Sequence, residues 1–354
     1  MLFGNNENML CIDIGYKNIK IVELTKNSNM KISVDKFGIG KTPPDSIANG
    51  SINRTDILVN SIRKIIAEHK MKSKSAKIIV SGTNIITRLL EVKKVEGEDP
   101  SVTIKKSINF LMPFVDKDYK VDYRMLQVQN SIQDDSSFKV FAIAVPKLIL
   151  ESYIKLLNGL GLKPLAIDIP GNSAAKFCAR ISDKESISHN TIAYVDFGSE
   201  TTIVNILQNG TLTYSKPILS GSSNIDDMLM KNLHVDANEA EKMKLLFGLD
   251  KPNIDSTQEH IDVYNLIFSH VTDLILDIHS CFEDFSNSFE NTKVSKMFIT
   301  GGGSQLLGLE HRLSSLLNIP VCPVTSLQLN DVTINKKIDK QKLTFMANSL
   351  GISL

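Results

Sequence analysis

The chain has 354 residues, 42% of them hydrophobic and 22% charged, and a formal net charge of +1. That length suggests two or three domains at roughly 100–200 residues each, and the charge balance offers no basic face for general nucleic-acid binding. No apolar run approaches the roughly 18 residues of a membrane span, the start Met1-Leu2-Phe3-Gly4-Asn5-Asn6-Glu7 reads as no export signal, and neither the four scattered cysteines nor the seven histidines form a metal-binding pattern.

Met9 to Gly15 reads as an apolar strand ending in a turn, followed at once by strands at Ile19–Leu24 and Lys31–Val34. The spacing of Ile57, Leu58, Ile62, Ile65 and Ile66 predicts a helix over 54–70, and Ala76–Val80 a buried strand. Residues 83–164 read as a separate small α/β unit. It holds strands at 85–92, 121–129 and 138–145 and helices at 102–111 and 147–160. A strand at Leu165–Pro170 and a helix at Asn172–Ile181 return to the first lobe, which the sequence divides as 1–82 with 165–190. A second lobe, 191–335, opens with Ile192–Gly198, continues with strands at 201–207 and 212–219 and helices at 237–247 and 258–289, and reaches the strand Lys296–Thr300. Gly301-Gly302-Gly303-Ser304 follows, then a helix at 306–317. A last helix within 336–354 is expected to return to the first lobe.

One hairpin occurs twice. Asp13-Ile14-Gly15-Tyr16-Lys17-Asn18-Ile19-Lys20 aligns with Asp196-Phe197-Gly198-Ser199-Glu200-Thr201-Thr202-Ile203, and each copy follows an apolar strand and precedes another. A lone Asp-x-Gly is ordinarily a turn. The pair, framed alike and about half a chain apart, points to two lobes facing one ligand. An Asp ending a buried strand aims its carboxylate into a cleft, Gly lets the backbone approach a ligand, and the turn's N–H groups and hydroxyls suit phosphate oxygens. Asp13 and Asp196 would hold Mg²⁺ through water, because that ion sheds its hydration reluctantly. The run Gly301, Gly302, Gly303 and Ser304 offers backbone for an adenosine group. Glu241 and Lys244 share a helix face and would reach ribose and base; a solvated i,i+3 ion pair is the alternative.

With these elements in order the chain resembles the actin/Hsp70/sugar-kinase superfamily, an α/β actin-like (ribonuclease H-like) ATPase fold of two lobes. Asp13–Lys20 resembles the first phosphate motif, Asp196–Thr202 the second, Ile299–Ser304 the adenosine motif, and Leu165–Asn172 the first hinge. Within it the chain resembles the PilM branch of type IV pilus assembly proteins, and next FtsA. The grounds are the unit at 83–164, the pattern Phe110-Leu111-Met112-Pro113-Phe114 … Val121-Asp122-Tyr123, and Glu239–Lys244 … Phe247-Gly248. The ending near 354, without a basic amphipathic tail, favours PilM. Tyr16-Lys17-Asn18 stands where the family usually carries serines.

The resemblance implies a bacterial cytoplasmic scaffold that binds ATP and Mg²⁺ and is at most a slow ATPase. It would hold the N-terminal tail of a PilN-like inner-membrane protein between the first lobe and the inserted unit, which would place it at the inner face of the membrane. Its nucleotide contacts would come from Asp13, Gly15, Tyr16, Lys17, Asn18, Lys20, Asp196, Gly198, Ser199, Glu200, Thr201, Thr202, Glu241, Lys244 and Gly301–Ser304. Asp168, in the hinge, is the one candidate for a hydrolytic base, with help in coordinating Mg²⁺ or water as the equal alternative. The alternatives are an FtsA-like division protein, a small-molecule kinase, and a relative that keeps the fold without the nucleotide.

Overall fold

The computed structural model describes residues 6–112, 118–126, 136–182, 190–289 and 291–354. The sixteen strands are Glu7–Ile14 (β1), Asn18–Lys26 (β2), Ile32–Lys41 (β3), Ile47–Ala48 (β4), Ser51–Ile52 (β5), Ser75–Ile79 (β6), Ile86–Lys93 (β7), Tyr119–Met125 (β8), Ser137–Pro146 (β9), Lys163–Asp168 (β10), Thr191–Phe197 (β11), Thr202–Gln208 (β12), Thr211–Ile218 (β13), Lys296–Thr300 (β14), Val321–Pro323 (β15) and Val332–Ile334 (β16). Two large sheets dominate, in the orders β10-β6-β1-β2-β3-β16 and β13-β12-β11-β14-β15.

The two sheets share one plan. β1 pairs antiparallel with β2, placing Asp13 opposite Lys20, and parallel with β6. β11 pairs antiparallel with β12 and parallel with β14, placing Asp196 opposite Thr300. Central strands covered on both faces must be apolar on both, which is why Met9, Leu10, Cys11 and Ile12 run without alternation and are all fully buried.

The layers follow from where each apolar face goes. Leu10, Ile12, Ile19 and Ile21 pack against the helices Thr55–Glu68 and Lys147–Gly159. The opposite face, with Met9, Cys11, Val22 and Leu24, meets the helices Pro170–Cys178 and Leu343–Gly351, and these also cover Tyr194, Leu207 and Phe298 of the second sheet. The outer face of the second sheet, including Ala193, Val195 and Val204, rests on the 31-residue helix Gln258–Ser288. Helices thus alternate with the two sheets, and the ends of β1 and β11 meet over the middle helices.

The inserted unit is a three-stranded sheet, β7-β9-β8, with the helix Pro100–Leu111 closing a small core of Val92, Ile104, Ile108 and Val140. The expected strand residues Gln127, Val128 and Gln129, and Pro113 and Phe114 of the family pattern, lie outside the described residues.

Three expectations need correction. The helix Lys147–Gly159 does not belong to the insertion, because its stripe of Ile149, Tyr153, Leu156 and Leu157 is buried in the first lobe's core. The chain rejoins the first lobe's sheet at β16, parallel to β3, and so leaves the second lobe before residue 335. The helix expected at 306–317 starts at Leu309. Residues Gly302–Gln305 form a 3₁₀ turn first, and Gly308 at φ 80° interrupts the path. One further helix, Ser222–Leu233, was not anticipated. Gly221-Ser222-Ser223-Asn224 looks like loop, yet the Gly221 N–H donates to Asn224 Oδ1 at 2.9 Å and starts the helix.

Candidate nucleotide site

Both Asp-x-Gly hairpins close with the same hydrogen bond. The Gly15 N–H donates to Asn18 O at 3.0 Å, and the Gly198 N–H donates to Thr201 O at 2.9 Å. The first loop is braced from β3's end, where the Thr42 N–H donates to Lys17 O and the Thr42 hydroxyl to Gly15 O. The second is braced by the start of the helix Ser222–Leu233, whose Ser222 and Ser223 N–H groups donate to Gly198 O and Ser199 O.

The loops face one another across a solvent-open cleft. It is lined by Asp13, Gly15, Tyr16, Lys17, Asn18 and Lys20 from the first hairpin and by Asp196, Gly198, Ser199 and Thr201 from the second, with Gly301 and Gly302 beside them. Tyr16 packs partly against the first lobe's core while lining the cleft.

At the floor, Lys20 Nζ donates to Asp13 Oδ2 at 2.9 Å, and Asn348 Nδ2 donates to Asp196 Oδ2 at 2.6 Å. Burial disfavours the Lys20 ammonium, but the charges of Asp13 and Asp196 and the hydrogen bond to Asp13 hold its pKa above the usual lysine value. Burial pushes the Asp196 carboxyl above its usual range; Asp13 adds to the rise, while Lys20 and Asn348 oppose it. Two carboxylates against one ammonium leave one uncompensated negative charge. Asn348 Oδ1 is buried with no hydrogen-bond partner among the described residues. No cluster of three or more acidic, His or Cys side chains occurs among the described residues. This donor set fits Mg²⁺ held by few protein oxygens and completed by water and phosphate.

The remaining candidates are placed elsewhere. Glu200 is exposed at the hairpin tip. Thr202 is buried and donates to Ser220 O at 2.7 Å, a bond that joins β12 to the next loop. Gly303 lies against Phe197, and the Ser304 hydroxyl donates to Gly301 O at 2.7 Å. Glu241 and Lys244 do not pair with each other on a solvated face. Lys244 is buried, 2.6 Å from Asp226 Oδ1, and donates to Ser222 O; burial lowers its pKa. Glu241 accepts from Lys17 at 2.7 Å. Asp168 does not line the cleft. Its Oδ1 accepts from the Ile169 N–H and Asn172, and its Oδ2 from Lys176 at 2.7 Å, so it anchors the hinge helix.

Sequence reasoning put Pro170 in the hinge but not at the cleft, and it missed Asn348, Phe345 and Ser81, which line the cleft, and Asp226 beside it. No local pattern marks them, because each is brought in by a distant segment.

Gly301 is the tightest point. At φ 85°, an added Cβ would stand 2.2 Å from Asp196 Oδ1 and 2.4 Å from Phe197 O. Gly301→Ala should cost about 1–3 kcal/mol in urea unfolding through overpacking and backbone strain. It should also displace the Asp196 carboxylate; a variant of wild-type stability would contradict this packing.

A family model described as type IV pilus assembly protein PilM matches residues 11–354. The chain belongs to the PilM family. The structure titled "PilM-PilN type IV pilus biogenesis complex" superposes with a TM-score of 0.79 at 18% identity, covering 98% of this chain and 97% of that one. MreB5 of Spiroplasma citri bound to AMPPNP superposes at 0.52 and 13% identity over 90% and 92% of the two chains. These establish the actin-like ATPase fold. The cell division protein FtsA of Bacillus subtilis (strain 168) is 26% identical over 274 residues, which are 69% of this chain and 59% of that protein's length. FtsA of Staphylococcus epidermidis (strain ATCC 12228 / FDA PCI 1200) is 24% identical over 349 residues, 87% and 72% of the two. Among the described residues no helix is long and apolar enough to cross a membrane.

Proposed function

We propose that this PilM-family chain binds Mg-ATP between its lobes and acts as a nucleotide-sensitive scaffold of pilus assembly. It would be held at the inner face of the cytoplasmic membrane by the N-terminal tail of a PilN-like partner. The observation that carries the nucleotide reading is the pair of matched hairpins, with Asp13, Lys20 and Asp196 converging on one cleft. The hairpin loops would seat phosphates, and Asp13 and Asp196 would hold Mg²⁺, which when bound neutralises phosphate charge. Slow or absent hydrolysis fits Asp168's engagement with Lys176.

For the partner's tail we place the seat between the inserted unit and the second lobe, rather than between the inserted unit and the first lobe as the resemblance implies. Among the described residues β7 and β13 are the outer strands of their sheets, and they face each other with one described link, the Thr87 hydroxyl donating to Ser215 O at 2.7 Å. The groove between them is open to solvent, with Leu89, Phe141 and Phe289 on its apolar side. Unpaired strand edges suit an extended peptide, which adds main-chain hydrogen bonds and uses side-chain pockets for selectivity. A smaller cavity shares Ser81, Pro170 and Ile203 with the nucleotide cleft and Ile85, Thr87, Ser215 and Pro217 with the groove. Nucleotide entry would therefore rearrange the groove's walls, and each ligand would favour the other's binding.

Calorimetric titration of a synthetic PilN-like tail peptide, with and without Mg-ATP, tests this. The expected result is binding that tightens about 5-fold or more with Mg-ATP and is lost in Leu89→Arg, while Mg-ATP still binds that variant. Undiminished peptide binding by Leu89→Arg would refute the groove, and no peptide binding by the wild type would refute the partner.

A further inference from the structure

Lys17 makes a contact that no phosphate-loop role requires. It sits in the first lobe's hairpin, yet Nζ lies 2.7 Å from Glu241 Oε1 and 3.8 Å from Asp226 Oδ2. Those acceptors stand on two packed second-lobe helices, Ser222–Leu233 and Ala237–Phe247. We propose that Lys17, Glu241 and Asp226 form a charge latch that holds the cleft shut in the nucleotide-free protein and is displaced when a nucleotide enters.

The acceptor side is preorganised. Asp226 is 12% exposed and fixed by Lys244, which is 6% exposed and anchored in turn to Ser222 O. Lys17 therefore meets a carboxylate already held by an ion pair to Lys244, and Glu241 completes a two-carboxylate seat. Among the described ion pairs, those of Lys17 are the ones joining the first hairpin to the second lobe. The same side chain lines the cleft, so the latch closes the space that a nucleotide must enter.

The exchange is chemically balanced. A polyphosphate entering beside the loop offers Lys17 oxygens of higher charge than a carboxylate, and a released Glu241 becomes free to accept from a ribose hydroxyl. This displacement rests on the nucleotide reading given above; the latch itself does not. Serine at position 17 would make the hairpin a phosphate loop with no closing device, whereas lysine here adds one.

Lobe separation is the direct readout. Spin labels at Lys64 and Glu310, both exposed, would be placed in a Cys322→Ser background; the other three cysteines are buried. The nucleotide-free wild type should give a narrow distance distribution. Lys17→Ser and Glu241→Gln should each broaden it and move it outward, the double variant should go no further than the singles, and Lys17→Arg should stay narrow. A Lys17→Ser distribution as narrow as the wild type's would overturn the latch. Stopped-flow association of a fluorescent ATP analogue should be several-fold faster in Lys17→Ser; an unchanged rate would overturn displacement. If neither protein binds the analogue, the nucleotide reading fails, and the distances alone decide the latch.

Discussion

Asp13→Ala is expected to lose Mg-ATP affinity by about 10–100-fold, the range for a lost charged contact, and to destabilise the first lobe by about 3–5 kcal/mol. The second effect is electrostatic. The Asp13 and Lys20 side chains are 10% and 17% exposed and 2.9 Å apart. Removing Asp13 takes away the only hydrogen-bonded carboxylate of the buried Lys20 ammonium among the described residues and leaves it the charge of Asp196 alone, and breaking such a pair costs more than the pair itself contributes. The sign with pH can be stated. The Lys20 pKa is raised in the fold, so its contribution is complete below the ordinary value of 10.5 and is lost as pH rises through the raised one. Measurements at neutral pH therefore see all of it. Urea unfolding and calorimetry on Asp13→Ala, with Asp13→Asn as the milder control, provide the check. Wild-type stability in Asp13→Ala would show that the pair is dispensable.

Asp196→Asn should act in the opposite sense on stability. Burial, reinforced by Asp13, raises the Asp196 pKa, so folding favours its protonated form. The stability cost of ionised Asp196 is absent below the ordinary pKa of 3.8 and complete once the pH exceeds the raised folded value. At neutral pH an amide removes that cost and can still accept the hydrogen bond from Asn348. The nucleotide-free variant should therefore unfold at higher urea than the wild type, while Mg-ATP binding weakens by about 10–100-fold. Active sites commonly hold charges at the expense of stability, and this pair of substitutions would separate the two proposed roles, Asp13 serving fold and ligand and Asp196 the ligand alone. A lower urea midpoint for Asp196→Asn would show that attraction to Lys20 outweighs burial.

The PilM assignment and the actin-like fold were both visible in local patterns. Strands β1 and β11 are legible because a strand buried on both faces must be apolar throughout, and the Asp-x-Gly turns because only certain residues close them. The helices Ala237–Phe247 and Gln258–Ser288 and the strand Lys296–Thr300 follow from periodicity and length. What a short window encodes, the sequence by itself determined: which of the long, strongly patterned segments are strands or helices, and where Asp13 and Asp196 come at the ends of their strands.

Tertiary structure alone decided which segments meet. Asn348 reaches Asp196 across 152 positions and Lys17 reaches Glu241 across 224, and no window spans such separations. The stripe of Lys147–Gly159 reads the same whichever core it fills; only packing assigned it to the first lobe. Glu241 and Lys244 looked like a pair on one helix face, but three-dimensional placement gave each a different partner, because Asp226 and Lys17 arrive from other elements. Asp168 likewise looked free to act as a base until the fold set Lys176 beside it. Local propensity decides which element a segment forms, whereas charge pairing depends on distances between elements that exist only once the lobes have closed on each other.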